Sequence, residues 1–328
     1  MILAIETSCD DTCVAVVEGA EIRSSVVSSQ AAAHAVFGGV VPEVAARHHL
    51  ELIGPVMDAA LGEAGVELDD VEAVAVTRSP GLIGALLVGV SAAKAIAAPR
   101  RLPMIGVDHL HGHVASAFTE PDPLEPPFLC LIASGGHTLL AGVRDRSGYE
   151  VLGQTLDDAA GEALDKGARL LGLGYPGGPA VQRVAKEGNP DAFELPVAMA
   201  REPGLDLSFS GLKTALLYIV RELDGDEVEL RRSDLAASFQ AAVVGQLVAK
   251  LERALAAGDW PAVALGGGVA ANSLLRERAA AICAERGVRL KLVPPEFCTD
   301  NAAMIGVAAG SLEPIAYPDY LGWDASFQ

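Results

Sequence analysis

Short apolar, β-prone runs at residues 2–5 and 14–17 flank the polar stretch Thr7-Ser8-Cys9-Asp10-Asp11-Thr12. Two such runs joined by turn-forming residues predict a hairpin of strand, polar loop and strand. The arrangement returns 126 residues later as Phe128-Leu129-Cys130-Leu131-Ile132, the loop Ala133-Ser134-Gly135-Gly136-His137-Thr138, and Leu139 to Val143. Leu3/Leu129, Ser8/Ser134, Thr12/Thr138, Ala15/Ala141 and Val17/Val143 are identical across the shift. A second echo pairs Ala73-Val74-Ala75-Val76 with Ala262-Val263-Ala264-Leu265, each running into a glycine-containing turn and an Ala/Leu-rich helical segment. Two echoes in the same order predict a duplicated α/β unit, hence two lobes with a cleft between them. Residues 1–120 are assigned to the first lobe, with the segment 300–328 returning to it, and residues 121–299 to the second.

Apolar residues three and four positions apart at Leu50–Ala64, Leu235–Ala257 and Leu274–Arg286 predict helices that cover the sheets. Gly81 to Ala93 is a run of 13 residues without a charge that Lys94 ends. It falls short of the roughly 20 apolar residues of a spanning helix, so a buried core helix is expected.

Composition narrows the function. The chain has 328 residues, 51% of them apolar, enough for a large core and two domains. Its 24 Lys and Arg against 43 Asp and Glu leave a net charge of −19, whose field repels phosphodiester chains and argues against an autonomous nucleic-acid binder. Cys9, Cys13, Cys130, Cys283 and Cys298 are odd in number and lack C-x-x-C spacing, which predicts reduced thiols and a cytoplasmic address. The opening Met1-Ile2-Leu3-Ala4-Ile5-Glu6 has no basic region of the kind that begins a signal peptide.

Two glycine loops are candidates for phosphate. Ser134-Gly135-Gly136-His137-Thr138 follows an apolar strand, where glycines let backbone N–H groups approach an anion. Gly266-Gly267-Gly268-Val269-Ala270-Ala271-Asn272 leads into a helix, whose N-terminal dipole favours negative charge. No G-x-x-x-x-G-K-[ST] occurs, and Gly172-Leu173-Gly174-Tyr175-Pro176-Gly177 matches G-x-G-x-x-G in letters only, with no β-run before it.

His109-Leu110-His111-Gly112-His113 places His109 and His113 on one face of a helix, with His111 directed elsewhere. Leu110 stands where a zinc protease has its Glu, so peptide hydrolysis is poorly supported. Two histidines need a carboxylate from a distant segment, and Asp300 in Phe297-Cys298-Thr299-Asp300-Asn301 is a candidate. Two His and one carboxylate with open positions suit Fe(II) or Zn, and the spacing does not separate them.

Taken together, the motifs resemble one family over nearly the whole chain. They are Ile5-Glu6-Thr7-Ser8-Cys9-Asp10-Asp11-Thr12, Gly38-Gly39-Val40-Val41-Pro42-Glu43, Pro80-Gly81-Leu82-Ile83-Gly84-Ala85-Leu86 and the two glycine loops. Asp157 to Ala163, Asp165-Lys166, Tyr175 to Pro179, Ser208 to Thr214 and Phe297 to Asn301 complete the set. The chain resembles the bacterial tRNA N6-adenosine threonylcarbamoyltransferases (the TsaD/Gcp/YgjD family, formerly described as O-sialoglycoprotein endopeptidases).

The resemblance implies a duplicated actin-like ATPase and sugar kinase (ASKHA) fold, with two lobes around a nucleotide cleft. It implies that His109, His113 and Asp300 bind one divalent metal, Fe(2+) in preference to Zn(2+). Ile132, Ala133, Ser134, Gly135, Gly136, Asp165, Gly178 and Asn272 would line the pocket for threonylcarbamoyl-AMP. The implied reaction transfers the threonylcarbamoyl group to N6 of adenosine 37 in tRNAs reading codons that begin with A, forming t6A. Implied partners are tRNA, a paralogous protein of TsaB type and a small ATPase of TsaE type, with no membrane. Asp11 stands where the family more often has Glu, and it is either the base for the N6 proton or, with Asp10, a residue that shapes the turn. Lys213 and Arg78 are candidates for contacting RNA phosphate.

Two other functions use the same features. A small-molecule carbamoyltransferase would share the donor chemistry and differ in its acceptor, and Ser208 to Thr214 favours the RNA enzyme. A scaffold or ATP-dependent regulator on an actin-like cleft would not need the His, His, Asp constellation.

Overall fold

Both expected hairpins form in the computed structural model, which describes residues 1–197, 199 and 202–325. The chain divides into two units. Unit 1 comprises Met1–Glu125, Asp145–Gly148 and Thr299–Gln328, and unit 2 comprises Pro126–Arg144 and Tyr149–Cys298.

Unit 1 is built on a five-stranded sheet of β1 (Ile2–Glu6), β2 (Asp11–Glu18), β3 (Glu21–Ser29), β4 (Ala73–Ser79) and β5 (Met104–Asp108), in the order β3-β2-β1-β4-β5. β1, β2 and β3 are antiparallel neighbours, while β1, β4 and β5 run parallel. Parallel strands need helical crossovers. After the short α1 (Ala31–Ala35), these are α2 (Pro42–Ala64) before β4 and α3 (Ile83–Arg100) before β5. α4 (His109–Ala115) follows β5 without a gap. Leu3, Ile5, Val14, Val16, Val74 and Val76, alternate residues of their strands, join Val56, Ala60, Val90 and Ala93 of α2 and α3 in one apolar core.

α2 begins at Pro42, eight residues before the periodicity starts to show. Pro42 occupies the first turn, where its missing N–H costs nothing. Ala45 and His49 continue the buried face, and it is the polar His49 that masks the apolar period. α3 is the one described helix long and apolar enough to cross a membrane by length and composition. Ala85, Leu86, Val88, Gly89, Val90, Ala93, Ile96 and Ala97 are buried within unit 1, which makes it a core helix.

Unit 2 repeats the plan. β6 (Phe128–Ala133), β7 (Thr138–Asp145), β8 (Gly148–Gln154), β9 (Ala262–Gly266) and β10 (Arg289–Leu292) pair in the order β10-β9-β6-β7-β8, which is the unit 1 order with β6 in the place of β1. The register repeats as well. Leu3 pairs with Val16 and Val74, and Leu129 with Gly142 and Val263, so the shift of 126 residues holds across the hairpin. The duplication read from the echoes is present in the sheets. The helices are α5 (Ala160–Leu170), α6 (Gly177–Ala185), α7 (Ser210–Glu222), α8 (Gly225–Leu230), α9 (Arg232–Ala257), α10 (Ser273–Arg286) and α11 (Pro295–Cys298). The chain then returns to unit 1 as α12 (Ala302–Ala309), buried along its whole length and packed on β1, β2 and α4.

Gly267, directly after β9, has φ 86° and ψ 158°, a conformation essentially confined to glycine. A Cβ there would stand 2.4 Å from the Ala133 carbonyl oxygen, so the crossing of two backbones leaves no room. Gly267→Ala is expected to lower the unfolding free energy by about 2–5 kcal/mol, from backbone strain and overpacking together. Urea denaturation measures it, and a loss below about 0.5 kcal/mol would contradict the close approach.

Candidate metal centre and glycine loops

The parallel strands of unit 1 bring Glu6, Thr77 and Asp108 to one edge, at the carboxyl ends of β1, β4 and β5. Asp108 is the N-cap of α4 and accepts from the His111 backbone N–H at 2.9 Å, which starts the helix at His109. One turn later comes His113. His111 leaves that face and donates from Nε2 to the Arg146 carbonyl at 3.0 Å.

Asp300 arrives from the other end of the chain. Gly112, between the two histidines, lets α4 approach α12, since a Cβ there would meet Ile305 Cδ1 at 2.8 Å. Asn301 caps α12 by accepting from the Met304 N–H at 2.9 Å, which sets Asp300 just ahead of the helix. The Cys13 thiol donates to the Asp300 carbonyl at 3.6 Å. Asp300 Oδ1 then lies 3.6 Å from His109 Nε2 and 3.3 Å from His113 Nε2. The three ligand atoms fall within 4.8 Å of one another.

These residues fit a metal ion. With bonds of about 2.0–2.2 Å, neighbouring ligand atoms on one ion stand about 2.8–3.6 Å apart, which both His–Asp separations match. Both ring nitrogens of His113 are buried without a hydrogen-bond partner among the described residues. An orphaned buried nitrogen is costly, and a cation accepting its lone pair removes that cost. Burial opposes a charged His109, but Asp300 and Glu6 outweigh it and raise the imidazole to about 9. A point that holds a proton this firmly is one where negative potential favours a cation.

Asp11 opens β2 in the same unit. Burial first, then the charges of Asp10, Asp300 and Glu6, push its carboxyl up to about 7 against a hydrogen bond from Ser29 that works the other way. Its Oδ1 is buried with no hydrogen-bond partner among the described residues. His49 braces the chain on both sides of it, accepting from Thr12 Oγ1 of β2 at 2.7 Å through Nδ1 and donating to the Cys9 carbonyl of the preceding loop at 3.0 Å through Nε2. Sequence reading gave His49 no role, because its partners lie 37 and 40 residues away.

In unit 2 the parallel strands β6 and β9 end in the two glycine loops. Ser134 closes the first, its backbone N–H donating to the His137 carbonyl at 2.8 Å and its Oγ accepting from the His137 N–H at 3.1 Å. Gly135 and Gly136 are exposed, with open space where a side chain would stand. Ile132 and Ala133 are buried in β6. Asp165 lies on α5, its Oδ1 accepting from the Gly177 N–H at 2.6 Å, and this sets Gly178 in the first turn of α6. Asn272 caps α10 through the Leu275 N–H at 3.1 Å and donates to Gln240 Oε1 at 2.9 Å. Its amide is thus held from both sides.

The two candidate cations are engaged. Lys213 pairs with Asp158 at 3.3 Å, which Lys166 also reaches at 2.7 Å. The Arg78 guanidinium lies 5.0 Å from the Trp323 ring centroid.

The family model described as "TsaD: tRNA N6-adenosine threonylcarbamoyltransferase" matches residues 21–307. The chain belongs to this family. Among curated proteins of the same name, that of Thermosynechococcus vestitus is 53% identical over 94% of this chain and 89% of its own length. That of Clostridium botulinum strain 657 is 50% identical over 94% and 91%. Component A of the (R)-2-hydroxyglutaryl-CoA dehydratase of Acidaminococcus fermentans superposes at TM-score 0.54 and 15% identity, over 94% of this chain and 95% of that one. HypF of T. kodakarensis does so at TM-score 0.64 and 16% identity, over 94% of this chain and 47% of its own. At these identities the likeness concerns the fold, which is the duplicated α/β fold of actin-like ATPases and sugar kinases.

Burial lowers the His49 imidazole below its ordinary 6.5, so the unfolded chain takes up the proton first. The stability that neutral His49 contributes is full above that value and is lost as pH falls below it. Between about pH 7.5 and about pH 5.5, the wild type should lose more stability in urea titrations than His49→Gln. An equal loss would show that His49 is not buried neutral.

Proposed function

We propose that the chain is a metal-dependent acyltransferase that moves the threonylcarbamoyl group from threonylcarbamoyl-AMP to N6 of adenosine 37 in tRNAs reading codons that begin with A, forming t6A. The observation that carries this reading, beside family membership, is the convergence of buried His109 and His113 with half-buried Asp300 in one corner of unit 1. These three would hold a divalent cation, Fe(2+) in preference to Zn(2+) by the family resemblance alone, since two His and one carboxylate suit either, and when bound it would supply Lewis-acid polarisation of the donor.

The adenine amine attacks the carbamoyl carbon, the bond to the AMP phosphate oxygen breaks, and AMP departs with the electron pair. N6 gives up one proton, and Asp11, with a carboxyl near neutrality, is assigned to take it. The N–H groups of Gly135 and Gly136 are assigned to the phosphate, in a loop that Ser134 closes directly after Ile132 and Ala133 of β6. Asp165, Gly178 and Asn272 complete the nucleotide pocket, Asp165 offering an acceptor for a ribose hydroxyl. The family resemblance assigns the chain a TsaB-type paralogue and a TsaE-type ATPase as partners, and the reduced cysteines a cytoplasmic address, while the net charge of −19 argues for work on tRNA within an assembly.

Reconstitution with the partner proteins, threonylcarbamoyl-AMP and unmodified tRNA, followed by nucleoside analysis, tests the reaction. Absence of t6A under conditions where an authentic family member produces it counts against the reading. His109→Ala/His113→Ala should lose both bound metal, read by elemental analysis, and transfer, while circular dichroism stays native; full activity without metal would sink the assignment. Asp11→Asn should lower kcat by about 10²–10⁴-fold, with Asp11→Glu retaining activity, and an unchanged kcat in Asp11→Asn would remove Asp11 as the base.

A further inference from the structure

We propose that Glu6 is the positioning residue of the metal centre, fixing His109 with its proton on Nδ1 so that Nε2 is the ligand atom. The inference rests on the metal reading above and adds a residue that the ligand set does not contain.

Glu6 is fully buried at the end of β1. Three donors from separate segments converge on it. The Ser8 backbone N–H donates to Oε1, Thr77 Oγ1 of β4 donates to Oε2 at 2.6 Å, and His109 Nδ1 lies 2.9 Å from Oε2. Burying a carboxylate is costly unless it is paired and hydrogen-bonded, so this arrangement persists only if each contact is a real donor. An ionised carboxylate has no hydrogen to give, and the proton of the His109 contact therefore sits on Nδ1.

That choice decides the other side of the ring. With Nδ1 as donor to Glu6, neutral His109 presents the Nε2 lone pair, and Nε2 is the atom 3.6 Å from Asp300 Oδ1. The opposite tautomer would leave an unpaired lone pair against Glu6 and place an N–H where a ligand atom is needed. Ser8 Oγ, 3.2 Å from Nδ1, keeps the same side polar. Thr77 donates to the same Oε2 that receives His109, so it aims the carboxylate. His113 Nδ1 has no hydrogen-bond partner among the described residues, so of the two imidazoles it is His109 whose far nitrogen is held by a carboxylate. A carboxylate behind a metal-bound histidine raises the basicity of the ring and fixes its orientation, and its loss costs roughly 10–100-fold in metal affinity.

The test is equilibrium competition for Zn(2+) and Fe(2+) against a chelator of known affinity, with the full chain in place of the reaction. Glu6→Gln keeps shape and loses the charged acceptor, and it should weaken metal binding roughly 10–100-fold at an unchanged far-UV spectrum. Thr77→Val, which leaves Glu6 in place, should weaken it by a smaller factor, and it carries the test if Glu6→Gln does not fold. In the Zn(2+)-loaded wild type, long-range proton–nitrogen NMR of His109 should show a protonated Nδ1 and a metal-bound Nε2, a signature that a packing role would not produce. Wild-type affinity in both variants, or ligation of His109 through Nδ1, overturns the proposal. If the wild type binds metal no more tightly than His109→Ala/His113→Ala, the metal reading itself fails and takes the inference with it; a wild type that binds while Glu6→Gln binds equally well sinks only the role of Glu6.

Discussion

Parallel pairing of β1 with β4, and of β6 with β9, is the constraint from which both candidate sites follow. Parallel neighbours end on the same side, so the loops that leave them gather at one edge of each sheet. In unit 1 that edge receives Glu6, Thr77 and, through β5, the start of α4 with His109. In unit 2 it receives Ser134 to His137 and Gly266 to Gly268. Leu3 against Val74 and Leu129 against Val263 hold the two pairings in matching register. A slip of one residue would turn Leu3 and Ile5 out of the core and the Glu6 side chain away from Thr77 and His109.

The electrostatics of unit 1 come from placing acids where water is scarce. Glu6 is fully buried, and Asp11 and Asp300 add their charges to its surroundings. The acids respond differently because their partners differ. Burial would raise Glu6, yet the charge of His109 and the hydrogen bonds from His109 and Thr77 bring it below the ordinary carboxylate range. Asp11 has only the hydrogen bond from Ser29 to set against burial and three like charges, and it rises to about 7. Two carboxyls of one corner are thereby driven apart, one to stay charged and one to exchange a proton near neutral pH, which is the separation acid–base catalysis uses.

Much of this was legible in the residues, for a physical reason in each case. β1, β2, β6 and β7 are almost wholly buried, so their runs are apolar enough to read, and a duplicated register leaves identities at a fixed shift. β3 and β8, by contrast, lie at sheet edges with most positions partly or fully open, and their polar content hides them. His109 and His113 could be paired because a helix turn is a local relation, whereas the partners of Glu6 stand 71 and 103 residues away in sequence. Nothing local marks a carboxylate as the holder of a histidine. Asn272 and Asp165 illustrate the converse, since the polar side chains that read as ligand contacts also hold the first turns of α10 and α6.

The charge of the chain bears on how a tRNA could be held. At physiological salt the field is screened over about 8 Å, so what matters is the cations close to the bound phosphate. Lys213 shares Asp158 with Lys166, and a phosphate must compete with that carboxylate for it. A partly exposed ion pair contributes about 1 kcal/mol or less, so releasing Lys213 is not a large obstacle. Release would, however, leave Asp158 facing the phosphate, and the exchange gains little net attraction. Arg78 is occupied by Trp323, a contact of comparable size. The electrostatic part of tRNA affinity in the proposed function therefore falls to surfaces other than these two side chains, against a chain that itself carries −19.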